Sequence, residues 1–449
     1  MNLVGSGGLK AFVRWRGFPA VFQVPVLAVF LALAVLGWGK LTPEGVPPKL
    51  YAKTNLVNLA IWGLWWPAIV WVTVLLGRAW CVVCPLEWVS SRAETLGGAL
   101  GLRRLRLPGR LATGGLVILL FALLQMLVPG VQIHRVPHYT SIFLWVSLGV
   151  AFAVGLFFRD RAFCRGFCPA ALLLNAYGRG GMLAVRPAPG AGGRAPGPDA
   201  CRSTLNPSRL DSNRHGLMCV DCLKADASDA MQWRLRAPFA AGDAIEPAAS
   251  WPLTLFVMMV SGFVTYELCG VWKAADAVFQ WVPQRVADTV GTGAAAGWVR
   301  GVWTIVVVPL LMWLAVGAVA RMAGVGRSMA DAWRRLALPM AVVVAAGHMA
   351  KGLEKLQSWA GFLPHAWAEP GGLQTALSMH AKTLAQPAAW MSPQALSAVS
   401  LVLVAVATAL ALREARRADA SAGRGLAVPV LMLGAFFAFL VLGWGGWIG

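Results

Sequence analysis

Runs of about 20 apolar residues, separated by short polar segments, recur along this chain. A bilayer core is about 30 Å thick and an α-helix rises 1.5 Å per residue, so about 20 such residues cross it. Inside lipid every backbone N–H and C=O must be paired, which leaves helices as the spanning form for runs of this length. Nine runs qualify, near residues 20–38, 57–77, 114–132, 140–158, 251–270, 302–320, 336–352, 396–412 and 426–446. Charged residues make up only 13% of the 449 and hydrophobic residues 58%, where a soluble chain would be about 25% charged. The sequence predicts an all-α, polytopic transmembrane helical bundle of about nine spans, with a small irregular cytoplasmic segment that contains cysteines.

The net charge of +20 does not point to nucleic acid. The excess lies between the apolar runs, as the positive-inside rule expects, and no nucleic-acid motif accompanies it. Arg78, Arg92, Arg103, Arg104, Arg106 and Arg110 follow the second run, Arg321, Arg327, Arg334 and Arg335 the sixth, and Arg413, Arg416, Arg417 and Arg424 the eighth. These loops belong inside, so the N-terminus is expected in the cytoplasm and the C-terminus in the periplasm of a bacterial inner membrane. Lys10, Arg14 and Arg16 precede a run long enough to span, without a convincing signal-peptide cleavage pattern. Three parts follow: a membrane block over 1–158, a cytoplasmic segment over 159–250, and a second membrane block of about five spans over 251–449. A Gly/Pro-rich stretch from Arg186 to Pro198 reads as a flexible linker.

Two short stretches repeat one another. Arg78-Ala79-Trp80-Cys81 leads to Cys84-Pro85, and Arg161-Ala162-Phe163-Cys164 leads to Cys168-Pro169. Each follows an apolar run, and both fall on the expected cytoplasmic side. Parallel repeats related by an axis along the membrane normal would bring them together. Cytoplasmic disulfides are rare, and clustered cysteines there more often bind metal or do redox work. Cys81, Cys84, Cys164 and Cys168 are thus candidate ligands of one four-thiolate site, with an iron–sulfur cluster, zinc, or inert or palmitoylated thiols as the readings. Arg78, Arg161 and Arg165 would offset thiolate charge, and Trp80 and Phe163 would exclude water.

These motifs resemble the membrane polyferredoxin family of NapH, NosR and CcoG (FixG), over about residues 57–235. The resemblance implies cytoplasmic-face cysteine pairs followed by a ferredoxin-like segment, and electron transfer toward a periplasmic redox metalloenzyme or support of its maturation. It implies a [4Fe–4S] cluster on Cys81, Cys84, Cys164 and Cys168, and a redox partner protein or quinone. The chain departs from the pattern. Its first motif has two intervening residues where three are usual. Cys219 and Cys222 open a ferredoxin-type motif whose later positions are Ala225, Asp229 and Ala230, and Cys201 stands alone upstream. Cys201, Cys219 and Cys222 therefore read as a second cluster or zinc site completed by His215, as a redox thiol set, or as remnants.

His348 with Lys351 at i+3 reads as a quinol or haem contact, or as interfacial snorkelling. His134, His138, His380 and Met379 have ligand types apt for outer copper. Cys269 reads as a small buried hydrophobe. The alternatives to electron transfer are a copper-handling or copper-reducing assembly factor, and a transporter with a structural cysteine–metal site. The transporter is disfavoured by the scarcity of acidic residues in the runs.

Overall fold

A computed structural model describes the chain except residues 1, 4–6, 113, 212, 214–215, 217, 238–247, 291–294, 419–422 and 449. It is mostly helical, with almost no strand. Each of the nine apolar runs forms a helix. Among the described residues seven helices are long and apolar enough to cross a membrane: Leu56–Ala99, Pro137–Phe157, Trp251–Cys269, Ala296–Met322, Met329–Ala368, Pro393–Arg417 and Gly423–Trp444. Ala20–Leu36 and Gly115–Gly130 are apolar but shorter. At 17 and 16 residues, they reach only about 24–26 Å.

The chain forms two compact units, each built from three segments. Unit 1 comprises 1–32, 72–120 and 144–244, and unit 2 comprises 33–71, 121–143 and 245–449.

Unit 2 is a helical bundle stitched by buried polar contacts. Trp313 donates through its indole N–H to Ser261 Oγ at 3.1 Å, Trp444 to the Leu268 carbonyl at 3.0 Å, and Ser397 Oγ to the Val441 carbonyl at 2.6 Å. With no water to compete, such contacts and close packing hold membrane helices together. The helix Pro393–Ala418 turns Val399, Val402 and Val406 outward. That exposed apolar stripe is what lipid requires and water penalises. Between the fifth and sixth apolar runs, Lys273–Val290 is helical, and the helix of the seventh run continues to Ala368.

Unit 1 carries every cysteine except Cys269, which is buried at the end of the helix Trp251–Cys269. The cysteine segment is not wholly irregular. Leu183–Pro187 pairs antiparallel with Met231–Leu235, Val185 opposite Trp233. The linker reading of Arg186–Pro198 is corrected accordingly. Arg186 and Pro187 lie in the strand, short 3-10 turns follow, and Ala191 and Ala195 are buried beside Met218, Cys222 and Leu223. Glycine and proline here make turns rather than slack, because the small side chains between them fit a core.

Candidate cysteine centre

The two motifs fold alike. Gly77 (φ +68°) and Asp160 (φ +66°) each stand four residues before the first cysteine and turn the chain through the left-handed region. Glycine does so without steric cost, and aspartate is among the few other residues that tolerate it. Cys84 (φ −66°, ψ 122°) and Cys168 (φ −71°, ψ 115°) are both extended. Proline following each excludes the helical region for the residue before it. Pro85 then opens the helix Pro85–Ala99, and the helix Ala171–Gly178 follows Pro169.

The one-residue difference in spacing has a local solution. Trp80–Val83 is an α-helical turn, while Phe163–Phe167 is a π-turn closed by the Cys168 N–H donating to the Phe163 carbonyl at 2.9 Å. A π-turn absorbs one extra residue between fixed ends. Arg165 sits on it, half-buried.

The halves also exchange chain. After the first motif, Leu105 N–H donates to the Phe157 carbonyl at 2.8 Å, and Arg159 N–H to the Leu105 carbonyl at 3.1 Å, just ahead of the second motif. After the second, Met182 N–H donates to the Leu75 carbonyl at 2.7 Å, just ahead of the first. Helix packing follows the same rule. A Cβ at Gly155 would fall on the Ser90 carbonyl of Pro85–Ala99, and Gly178 lies against Gly77. Each half thus braces the other's motif.

Cys164 and Cys168 lie within electrostatic reach of Cys81 and Cys84. Burial pushes the Cys164 thiol well above its ordinary value, and the charges of Glu87, Cys168, Cys84 and Cys81 add to that. Cys168 is raised by burial too, while the N–H groups of Ala170 and Ala171 and the charge of Arg78 pull the other way. All four cysteines are unbridged and half-buried. Phe163 is fully packed against Ala151, Val154 and Ala162, and Trp80 is half-buried. Arg78 is buried within electrostatic reach of Cys81, Cys168 and Cys164.

Arg161, 5% exposed, faces two ways. It forms an ion pair with Glu87 from the other half and a second with Asp221 at 3.0 Å. Gln23 Nε2 donates to Glu87 at 2.6 Å, and Arg202 grips Asp221 with two bonds of 3.0 and 3.1 Å. Burial opposes the guanidinium charge, but Cys219, Glu87, Asp221 and Cys164 outweigh it and raise its pKa. Arg161 is therefore within electrostatic reach of both Cys164 and Cys219. Neither Glu87 nor Asp221 was singled out in the sequence, because their partners are distant in the chain.

Cys219 and Cys222 are each pushed up to about 12, mainly by burial, and Cys222 feels Cys201. Cys222 is thus within electrostatic reach of both Cys201 and Cys219. Asp229, at a ligand position of the ferredoxin pattern, instead pairs with Lys10 at 2.5 Å and Arg14 at 2.8 Å. His215, expected as the fourth ligand, lies outside the described residues. Among the described residues, no group of three or more His, Cys, Asp or Glu side chains stands ready to hold a single metal ion.

His348 and Lys351 belong to unit 2. The Lys351 side chain is 16% exposed. It pairs with Glu354 at 2.8 Å and with Glu267 at 3.8 Å. Glu267 is the one acid inside the nine apolar runs, and Glu354 lies two residues beyond the seventh. A lone acid in an apolar run was the available signal. His138 accepts a hydrogen bond from the Gly39 N–H at 3.0 Å.

No family model, curated protein or solved structure matches this chain. The polyferredoxin resemblance rests on the residues themselves.

Proposed function

We propose that this chain is an integral-membrane electron-transfer protein holding one [4Fe–4S] cluster on Cys81, Cys84, Cys164 and Cys168. One observation carries the reading: Cys164 feels Cys81, Cys84 and Cys168 together, so four unbridged thiols from two copies of one motif converge. The donor set fits the group, since such clusters are held by cysteine thiolates. Four cysteine thiolates are also a zinc donor set, so metal content decides between the two.

When bound, the cluster would supply a one-electron couple. The chain's own residues set its surroundings. Arg78 and Arg161 place positive charge beside the thiolates. The N–H groups of Ala170 and Ala171 point to the Cys168 sulfur, and such bonds to sulfur tune potential. Buried Phe163 excludes water. Cys201, Cys219 and Cys222 would form a second thiol centre, with Arg161 within electrostatic reach of both. In this reading both centres face the cytoplasm of a bacterial inner membrane. Electrons pass to or from a partner protein or quinone, and serve a periplasmic redox metalloenzyme or its maturation.

Anaerobically purified protein should be brown and carry about four iron and four sulfide per chain. Cys84→Ser and Cys168→Ser should each abolish the colour, and Cys269→Ser should keep it. Colourless protein with one zinc per chain would overturn the proposal. Colour lost in only one of the two motif variants would overturn the shared site.

A further inference from the structure

Unit 2 holds a cavity lined by Gln125, His134, Glu267, His348, Lys351 and Lys355 against Trp66 and Phe263. Five of these six are ionisable, and four lie on candidate membrane-spanning helices: Glu267 on Trp251–Cys269, and His348, Lys351 and Lys355 on Met329–Ala368. Ionisable groups on apolar helices of this kind are costly to bury and rarely present without a task.

The cavity's size and lining select its occupant. Its volume of about 40 Å³ has room for about three waters, at roughly 10–15 Å³ apiece, and not for a quinone ring or a haem. Glu267 and Glu354 offset the charges of Lys351 and Lys355. Gln125 is 4% exposed, and its Oε1 is a buried acceptor without a hydrogen-bond partner. A buried acceptor left open beside a cavity of this size calls for water. Arg135 Nε donates to His134 Nε2 at 3.1 Å, and burial, with the charges of Arg135 and Lys355, keeps His134 well below its ordinary value and so neutral. The His348 ring lies 5.7 Å from that of Phe263 and 6.4 Å from that of Trp66.

We propose that this cavity is a hydrated proton-exchange site, with water held on Gln125 Oε1 and protons taken up and released by Glu267 and His348. On uptake, a water or hydronium O–H bond breaks. The proton bonds to a Glu267 carboxylate oxygen or to a His348 ring nitrogen, and release returns it to water. Lys351 lies between Glu267 and Glu354, so protonating Glu267 frees the ammonium to pair with Glu354 alone. The surrounding charges are Lys355 near His348, Arg135 near Lys355, Lys49 near Glu354, and the Tyr266 hydroxyl near Lys351. The inference is independent of the cysteine centre.

Infrared difference spectra of the full chain in liposomes test it, recorded on a pH step and on transfer to D2O. The wild-type chain should gain a carboxylic-acid band on acidification, and D2O should shift that band within seconds. Glu267→Gln should remove one component of the carboxyl band, and His348→Gln one component of the imidazole bands, the remainder coming from the chain's other acids and histidines. A carboxyl band that stays unshifted in D2O for hours marks a dry site and overturns the proposal. So does a wild-type chain that titrates no such group, or spectra unchanged by both substitutions. The wild-type measurements stand even if a variant fails to fold.

Discussion

Glu87 and Arg161 form a buried ion pair that joins one copy of the cysteine motif to the other. Glu87 stands three residues after Cys84, and Arg161 three before Cys164. The position equivalent to Glu87 in the second copy is Ala171, so the pseudo-symmetry of the backbone is broken in charge. Arg161 is held by carboxylates, while the charges bearing on Arg78 come from thiols.

Glu87→Gln should therefore destabilise unit 1. Removing one partner of a buried pair costs about 3–5 kcal/mol, and the loss should sit toward the lower end because Asp221 still holds Arg161. Thermal melting and resistance to proteolysis in lipid would measure it. A variant as stable as the wild type would mean that Gln23 and Asp221 suffice.

Acid should loosen the same region through Asp221. Burial pushes its pKa up, but the hydrogen bond from Arg202 and the charge of Arg161 outweigh that, and the net shift is downward. A carboxyl depressed on folding adds stability above its unfolded value of about 3.9, and this contribution is lost as pH falls through the folded value. Between pH 6 and pH 3 the wild type should therefore lose more stability than Asp221→Asn. Equal slopes in a melting series over that range would count against the pairing.

Alkylation of metal-free protein should be slow. Cys219 and Cys222 are pushed up to about 12, and Cys164 is raised as well. The thiolate is the reacting form, so iodoacetamide near pH 8 should modify these three more slowly than denatured controls, with peptide mass spectrometry as the readout. Metal must displace those protons to bind, so reconstitution should release acid, seen with a pH dye in weak buffer.

Gly155→Ala should disturb the packing of Pro137–Phe157 on Pro85–Ala99, because the added methyl meets the Ser90 carbonyl. Overpacking of this kind costs about 1–3 kcal/mol. Gly149→Ala, where a Cβ meets nothing, is the control, and its melting temperature should match the wild type.

The apolar runs were legible because a bilayer demands composition and length, both of which sequence displays directly. The matched cysteine stretches were legible for a similar reason: proline after Cys84 and Cys168 dictates the extended backbone locally. What composition hid was pairing at a distance. Arg186 and Pro187 look like linker residues until Met231–Leu235 returns to meet their strand. Lys351 finds its partner Glu267 on another helix, far away in the chain. Asp229 looks like a decayed ligand position, whereas Lys10 and Arg14 close on it as an ordinary surface ion pair.

The exchange of chain between the halves sets an order of events during synthesis. Phe157 and Arg159, which clasp Leu105, are made some fifty residues after it, and Met182 must return to Leu75 from further still. At about 5–20 residues per second, Cys81 and Cys84 leave the ribosome roughly 4–17 s before Cys164 and Cys168. Through that interval the first thiol pair is in the cell without its counterpart. On the proposed function, assembly of the centre belongs to the second half's synthesis, and a chain stalled before Cys164 would carry Cys81 and Cys84 without their counterparts.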